Sequence, residues 1–246
     1  MREYMKSVLV TGASRGIGRA IALRFAAEGY HVAITGLSHK DELYELKNQI
    51  EQYGVSCLPY LADAASYPAM QQVVEDVLKQ WGHLDILINN AGIAALTLFT
   101  DMQPAEYERM ISVNLLSVMH SCHLVVPSMV ARKSGRIINI SSVWGICGAS
   151  CEAAYSAAKS GVGGFTRALG KELAPSGIAV NAIAFGVIDT DMNRKHLTPE
   201  DLDALAEEIP AGRMATTAEA AEAVWQLACN PVYLTGQVIA FDGGYI

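Results

Sequence analysis

Short apolar runs alternate with longer amphipathic stretches along almost the whole chain. Ser7-Val-Leu-Val-Thr11 is brief, apolar and stopped by Gly12, which marks a buried strand. Residues 16–28 follow with apolar positions Ile17, Ala20, Ile21 and Phe25 three and four apart, a helical period. The same reading predicts strands over 31–35, 55–61, 84–89, 136–140, 179–183 and 237–241. Helices are predicted over 40–53, 67–81, 153–174 and 217–229, with a longer one over 104–132 opened by Pro104. Strand–helix alternation of this kind predicts an α/β fold: a doubly wound, Rossmann-like parallel sheet with helices on both faces, in three αβα layers. No Pro- or Ser-rich linker and no internal repeat interrupts it, so one domain over 1–246 is expected. Residues 186–214 are polar, carry no strand signal and lie between two core elements, as a substrate lid does.

Composition removes several function classes. With 51% hydrophobic and 17% charged residues in 246, the chain is far from disordered. Its 18 basic and 25 acidic side chains sum to −7, and no segment concentrates Lys and Arg, so nucleic acid is excluded as a partner. No uninterrupted apolar run reaches the roughly 18 residues of a membrane span, and no membrane association is expected. The first seven residues are short and polar, unlike a signal peptide. Cys57, Cys122, Cys147, Cys151 and Cys229 are odd in number and fit no zinc spacing. They read as reduced thiols of a cytoplasmic protein.

Three constellations carry chemistry. Thr11-Gly-Ala-Ser-Arg-Gly-Ile-Gly18 joins the first predicted strand to the first helix. Its glycines permit a tight turn close to a pyrophosphate, which the helix N-terminus attracts. The spacing departs from the usual dinucleotide fingerprint and lacks the Gly-Lys-Ser/Thr of nucleotide triphosphatases. Asn89-Asn-Ala-Gly92 ends the fourth strand, where the amides either close a turn or tie strands together beside a ligand. Tyr155 and Lys159 stand four apart on one helix face, where an ammonium lowers a phenol's pKa toward neutrality. Ser142 lies upstream, just past a predicted strand, and so belongs to the same carboxyl edge of the sheet.

Taken together, these motifs resemble the short-chain dehydrogenase/reductase family over essentially the whole chain, and most of all its 3-oxoacyl-[acyl-carrier-protein] reductases. Arg136-Ile-Ile-Asn-Ile-Ser-Ser142, Gly177-Ile-Ala-Val-Asn-Ala-Ile183, Glu208-Ile-Pro-Ala-Gly-Arg213 and Thr235-Gly-Gln-Val238 carry that second likeness. The resemblance implies an NADP(H)-dependent reductase of a carbonyl, with a 3-oxoacyl thioester as substrate and acyl-carrier protein as a candidate partner. It implies Tyr155 as general acid, Ser142 on the substrate carbonyl, Lys159 on the nicotinamide ribose, and Asn114 holding a water of the proton relay. Ser141 is placed beside the cofactor. Cofactor contacts are implied for Gly12, Ser14, Arg15, Gly16, Ile17, Gly18, Asp63, Asn90, Ala91, Gly92, Ile188 and Thr190, besides Tyr155 and Lys159. No metal is implied. A ketone, sugar or hydroxysteroid dehydrogenase on the same scaffold is the alternative. A dinucleotide-binding regulator without turnover is the rival from another class, and it has no need of Tyr155.

Charge separates the two nicotinamide cofactors. NAD-preferring members of the family place an acid at the end of the second strand, where this chain has Gly36. Arg15 stands free to pair with a 2′-phosphate, and both signs point to NADPH. Two departures are visible: Phe185 replaces the family's usual Pro before Gly186, and Ser176 stands where carrier-docking members have Arg, leaving Lys133 as the available cation. The apolar wall of the substrate pocket is expected from Ala94, Leu96, Trp144, Val187 and Met192. His120 and His123 are three apart and supply only two ligands, so packing is preferred to metal. Cys147 and Cys151 are read as inert thiols. Apolar residues nearly all round the 104–132 helix, with small and apolar ones such as Phe165 on the 153–174 helix, point to a homo-oligomer. The resemblance makes it a homotetramer.

Overall fold

Alternate residues of the first strand enter different cores. Val8 and Val10 pack with Ile21, Phe25, Val32 and Ile34, whereas Leu9 packs with Met70, Val73, Leu87 and Val118. A strand apolar on both faces has to be covered on both, and the chain does this with helices. The computed structural model describes residues 5–191 and 198–246. Its strands are β1 (Ser7–Val10), β2 (His31–Gly36), β3 (Cys57–Leu61), β4 (Ile86–Asn89), β5 (Gly135–Ser142), β6 (Ile178–Phe185) and β7 (Val238–Phe241). They form one sheet in the order β3-β2-β1-β4-β5-β6-β7, and every pairing is parallel. This is the doubly wound, three-layer α/β arrangement.

The helices are α1 (Gly16–Ala27), α2 (Lys40–Glu51), α3 (Tyr67–Trp81), α4 (Pro104–Ile111), α5 (Ser117–Arg132), α6 (Trp144–Cys147), α7 (Ala153–Leu173), α8 (Pro199–Glu208) and α9 (Thr217–Cys229). Buried residues of α1, α2 and α9 share one core, and those of α3, α5 and α7 share the other. The strand order reverses between β1 and β4, and in such sheets ligands bind beyond the carboxyl ends at that point.

Several predicted boundaries move. The strands expected over 136–140 and 179–183 extend to Ser142 and Phe185, because Ser142 pairs with Phe185 in a register that carries both to the carboxyl edge. The expected 104–132 helix is continuous in space but contains a π-turn, Ser112–Leu116, between α4 and α5. Apolar periodicity does not reveal such a turn. Among the described residues, Pro104–Arg132 is the one helix long and apolar enough to cross a membrane, although no uninterrupted apolar run in it reaches the length of a span. Less than half of its most apolar window is buried in this chain. The 186–214 stretch contains α8, started by a capping box in which Thr198 and Asp201 satisfy each other's backbone N–H groups. An isolated bridge pairs Ile188 with Ala215 and draws the ends of the stretch together. Met192 lies outside the described residues.

Candidate active site

Two glycines shape the turn after β1. Gly12 has φ +64°, and a Cβ there would lie 2.7 Å from the Cα of Ala91. A Cβ on Gly18 would lie 2.4 Å from both the Asn90 amide nitrogen and the Gly12 carbonyl oxygen. Only glycine permits this close approach. Asn90 then fastens the turn to β4: its side-chain N–H2 donates to the Thr11 and Gly12 carbonyls at 3.0 and 2.9 Å. The Thr11 hydroxyl accepts from the backbone N–H groups of Asn90 and Ala91. Asn89 is buried and donates to Asn139 at 2.8 Å, which donates to Thr166 of α7 at 2.9 Å. Of the two roles open to this asparagine pair, the strand tie is the one realised.

Helix α1 starts at Gly16 with no side-chain cap and no acid in its first turn. Its free N–H groups and positive dipole end therefore face the cleft, as an anion site requires. A cavity of about 340 Å³ runs along this edge and is lined by Gly12, Ser14, Arg15, Gly16, Ile17, Gly18, Asp63, Asn90, Ala91, Gly92, Ile188 and Thr190. Gly36 lies at its β2 end and Asn114, Ser141, Ser142, Tyr155 and Lys159 at the other. All the residues expected at a cofactor thus border one space. The glycine cradle and the uncapped helix fit the pyrophosphate of a nicotinamide dinucleotide.

Local geometry refines several of these residues. Asp63 closes a turn by accepting from the Ala65 N–H at 2.9 Å and also pairs with Arg109 of α4 at 2.9 Å. Arg109 lines the cavity and was not singled out from sequence. It stands far from Asp63 along the chain, and no local pattern links them. Asn114 sits in the π-turn, fully buried, where single-turn π segments often mark functional sites. Its amide donates to the Ile93 and Met110 carbonyls at 2.9 and 3.0 Å and accepts from the Ile93 N–H at 3.2 Å. It clamps the loop that follows β4.

Lys159 is buried, and its ammonium donates to the Ile140 carbonyl at 2.9 Å. The same ammonium lies 5.6 Å from the centre of the Tyr155 ring. The expected acidification of the phenol is not what this arrangement produces. Burial pushes Tyr155 up to about 12, reinforced by the nearby Glu152 charge and opposed by the Ser142 hydroxyl. Burial likewise lowers Lys159 to about 8. Desolvation of each group outweighs their mutual influence.

A second cavity, of about 460 Å³, opens beside the first and is lined by Ala94, Leu96, Trp144, Glu152, Val187 and Leu205 among others. The two cavities share Ser142, Tyr155 and Gly186. Four of the five residues expected in the apolar wall are therefore in it, and the fifth, Met192, is not described. Phe185 turns its ring toward the core, edge-on to Phe241 with centroids 5.7 Å apart. Lys133 and Ser176 stand where β5 and β6 begin, at the opposite end of the sheet from both cavities, so neither belongs to the rim of the cavity in its own subunit. His120 and His123 pack on Tyr67 with centroids 5.4 and 5.9 Å away.

Comparison with known proteins agrees with this layout. The sequence model of a family described as short chain dehydrogenase matches residues 6–201. A 3-oxoacyl-[acyl-carrier-protein] reductase FabG of Staphylococcus epidermidis is 40% identical over 240 residues, covering 97% of this chain and 98% of that protein. A FabG of Thermotoga maritima is 39% identical over 247 residues and the full length of both. An uncharacterised oxidoreductase of Bacillus subtilis, YmfI, is 36% identical over 98% of each chain.

Proposed function

Because the chain belongs to the short-chain dehydrogenase family and is an oxidoreductase that uses a nicotinamide dinucleotide, we propose that it reduces 3-oxoacyl thioesters to 3-hydroxyacyl thioesters with NADPH. One observation carries the reading: Tyr155 and Ser142 form the boundary between the dinucleotide cavity and the apolar cavity. When bound, the nicotinamide supplies a hydride to the carbonyl carbon. The chain's own groups handle the oxygen. Ser142 donates a hydrogen bond to it as negative charge develops, and Tyr155 delivers the proton. A phenol held near 12 stays protonated until that charge appears, as a proton donor must. Lys159 holds positive charge behind the tyrosine, and Asn114 keeps the loop after β4 in place. Val187 and Leu205, both from 186–214, line the second cavity and support a lid over the substrate within one domain spanning 1–246. The five thiols, all free, accord with a cytoplasmic setting.

NADPH oxidation measured against acetoacetyl-CoA, a steroid ketone, a keto sugar and a simple diketone tests this reading. Acetoacetyl-CoA is expected to give the highest kcat/KM, and preference for the steroid or the sugar overturns it. The lowered Lys159 pKa sets a pH dependence. The ammonium is present below about 8 and lost above it, so reduction should hold steady at lower pH and fall as pH rises through that value. A rate that stays level to pH about 9.5, more than a unit above that value, would exclude a titration of the Lys159 ammonium near 8 during turnover.

Assembly follows from what the long helix leaves uncovered. Leu116 and Met119 are about 39% and 40% exposed on it, and Leu98 and Phe99, in the segment that precedes it, are more exposed still. Such a patch needs a cover, and we take it to be a second copy, within a tetramer that also binds acyl-carrier protein as substrate carrier. Phe165 is a poor probe of this surface, since it packs on the core beneath α7. Met119→Glu is the better one: light scattering should show smaller species than the unmodified protein. A stable monomer of the unmodified protein would refute the assembly.

A further inference from the structure

The second cavity holds one charge among its described lining residues, and that charge is not spent on the fold. Glu152 precedes α7 at the N-cap position, yet its side chain makes no capping hydrogen bond. No Lys, Arg or His pairs with it among the described residues. Instead the half-buried carboxylate lines the cavity, beside Tyr155 and Ser142. The Trp144 indole N–H favours its charged form, while burial raises its pKa from the usual carboxylate value. Trp144 is itself braced by Tyr245, with ring centroids 5.6 Å apart, and the Tyr245 hydroxyl donates to Glu208 of α8 at 3.2 Å. One indole donor leaves most of a carboxylate's lone pairs unused. A half-buried charge with one donor and no cation is under-compensated, and a cavity wall is where a ligand supplies the rest.

We propose that Glu152 is a specificity-determining residue of the second cavity, its carboxylate receiving an N–H donor, ammonium or amide, that the substrate carries near its carbonyl. The surrounding Ala94, Leu96 and Val187 accept the apolar remainder of such a molecule and offer no competing charge. A substrate with a carboxylate at the same place meets a like charge next to the proton donor and is rejected. The inference rests on the reductase reading above and goes beyond it, because the thioester chemistry alone does not say which polar group the cavity selects.

The test uses three ketones of similar size, 4-aminobutan-2-one, pentan-2-one and 4-oxopentanoate, with NADPH and the full-length protein. Acetoacetyl-CoA serves as control. The expected order of kcat/KM is ammonium over neutral over carboxylate, with about tenfold between the first two, as one partly screened charge pair supplies. Glu152→Gln should bring the ammonium-to-neutral ratio near one, and Glu152→Asp should restore part of it. An unmodified protein that turns over all three ketones equally overturns the proposal, whatever becomes of the variants. So does a Glu152→Gln protein that keeps the original ratio. Failure to reduce acetoacetyl-CoA while the ketone order holds counts against the thioester reading and leaves the selection by charge standing.

Discussion

Replacing Tyr155 by Phe is expected to lower kcat for carbonyl reduction by at least about 100-fold, the low end for a positioned general acid. The substitution removes one oxygen and keeps the ring, so the packing of α7 and the Lys159 ammonium 5.6 Å from the ring centre are preserved. Among the described residues, no neighbour substitutes for the lost proton. Ser142 is a far weaker acid than a phenol, and its oxygen already accepts from the Trp144 backbone N–H at 3.2 Å. Lys159 donates to the Ile140 carbonyl, behind the tyrosine. Dinucleotide binding should persist, because the glycine turn and the start of α1 are untouched. Single-turnover rates together with a fluorescence titration of NADPH separate the two effects. Turnover within a few-fold of the unmodified protein would exclude the tyrosine as proton donor.

The second large effect concerns cofactor choice. NADPH should be preferred over NADH, and Gly36→Asp should reduce that preference at least about tenfold, or about 1.4 kcal/mol. Gly36 closes β2 and borders the dinucleotide cavity together with Arg15. A Cβ there meets Leu43 and Ser14 at 3.5 Å, ordinary contact distance, so the change adds charge without disturbing the backbone. Two unit charges about 4 Å apart near a protein surface interact by about 4 kcal/mol before screening, enough for a carboxylate to oppose a 2′-phosphate. The unmodified protein presents the exposed Arg15 at the mouth of α1 with no acid nearby in the first helical turn. Equal kcat/KM for the two cofactors in the unmodified protein would show that the 2′-phosphate is not recognised here.

Chemistry carried by contiguous residues was legible from sequence. The apolar strand, the glycine turn and the helical period after it describe one βα unit, and the positive φ at Gly12 and Gly16 is backbone freedom that glycine supplies. Tyr155 and Lys159 share a helix face because helical geometry puts residues four apart on one side. The alternation of strands and helices likewise settled the class of fold, since a parallel sheet apolar on both faces has few ways to be covered.

What depended on residues distant along the chain was decided only by the tertiary structure. The pairing of Asp63 with Arg109, the clamp of Asn114 on Ile93 and the π-turn that holds it arise from contacts no local pattern encodes. The direction of the Tyr155 shift is of the same kind. Spacing brought a cation near a phenol, but burial, a property of the whole fold, outweighs that proximity and holds the phenol near 12 and the ammonium near 8. Glu152 shows the same division. As a sequence feature it is one acid before a helix; only the packed cavity around it leaves its carboxylate beside Tyr155 without a cation among the described residues. Local periodicity specifies which way a side chain faces along its own element, whereas desolvation and charge pairing are set by what other elements bring against it.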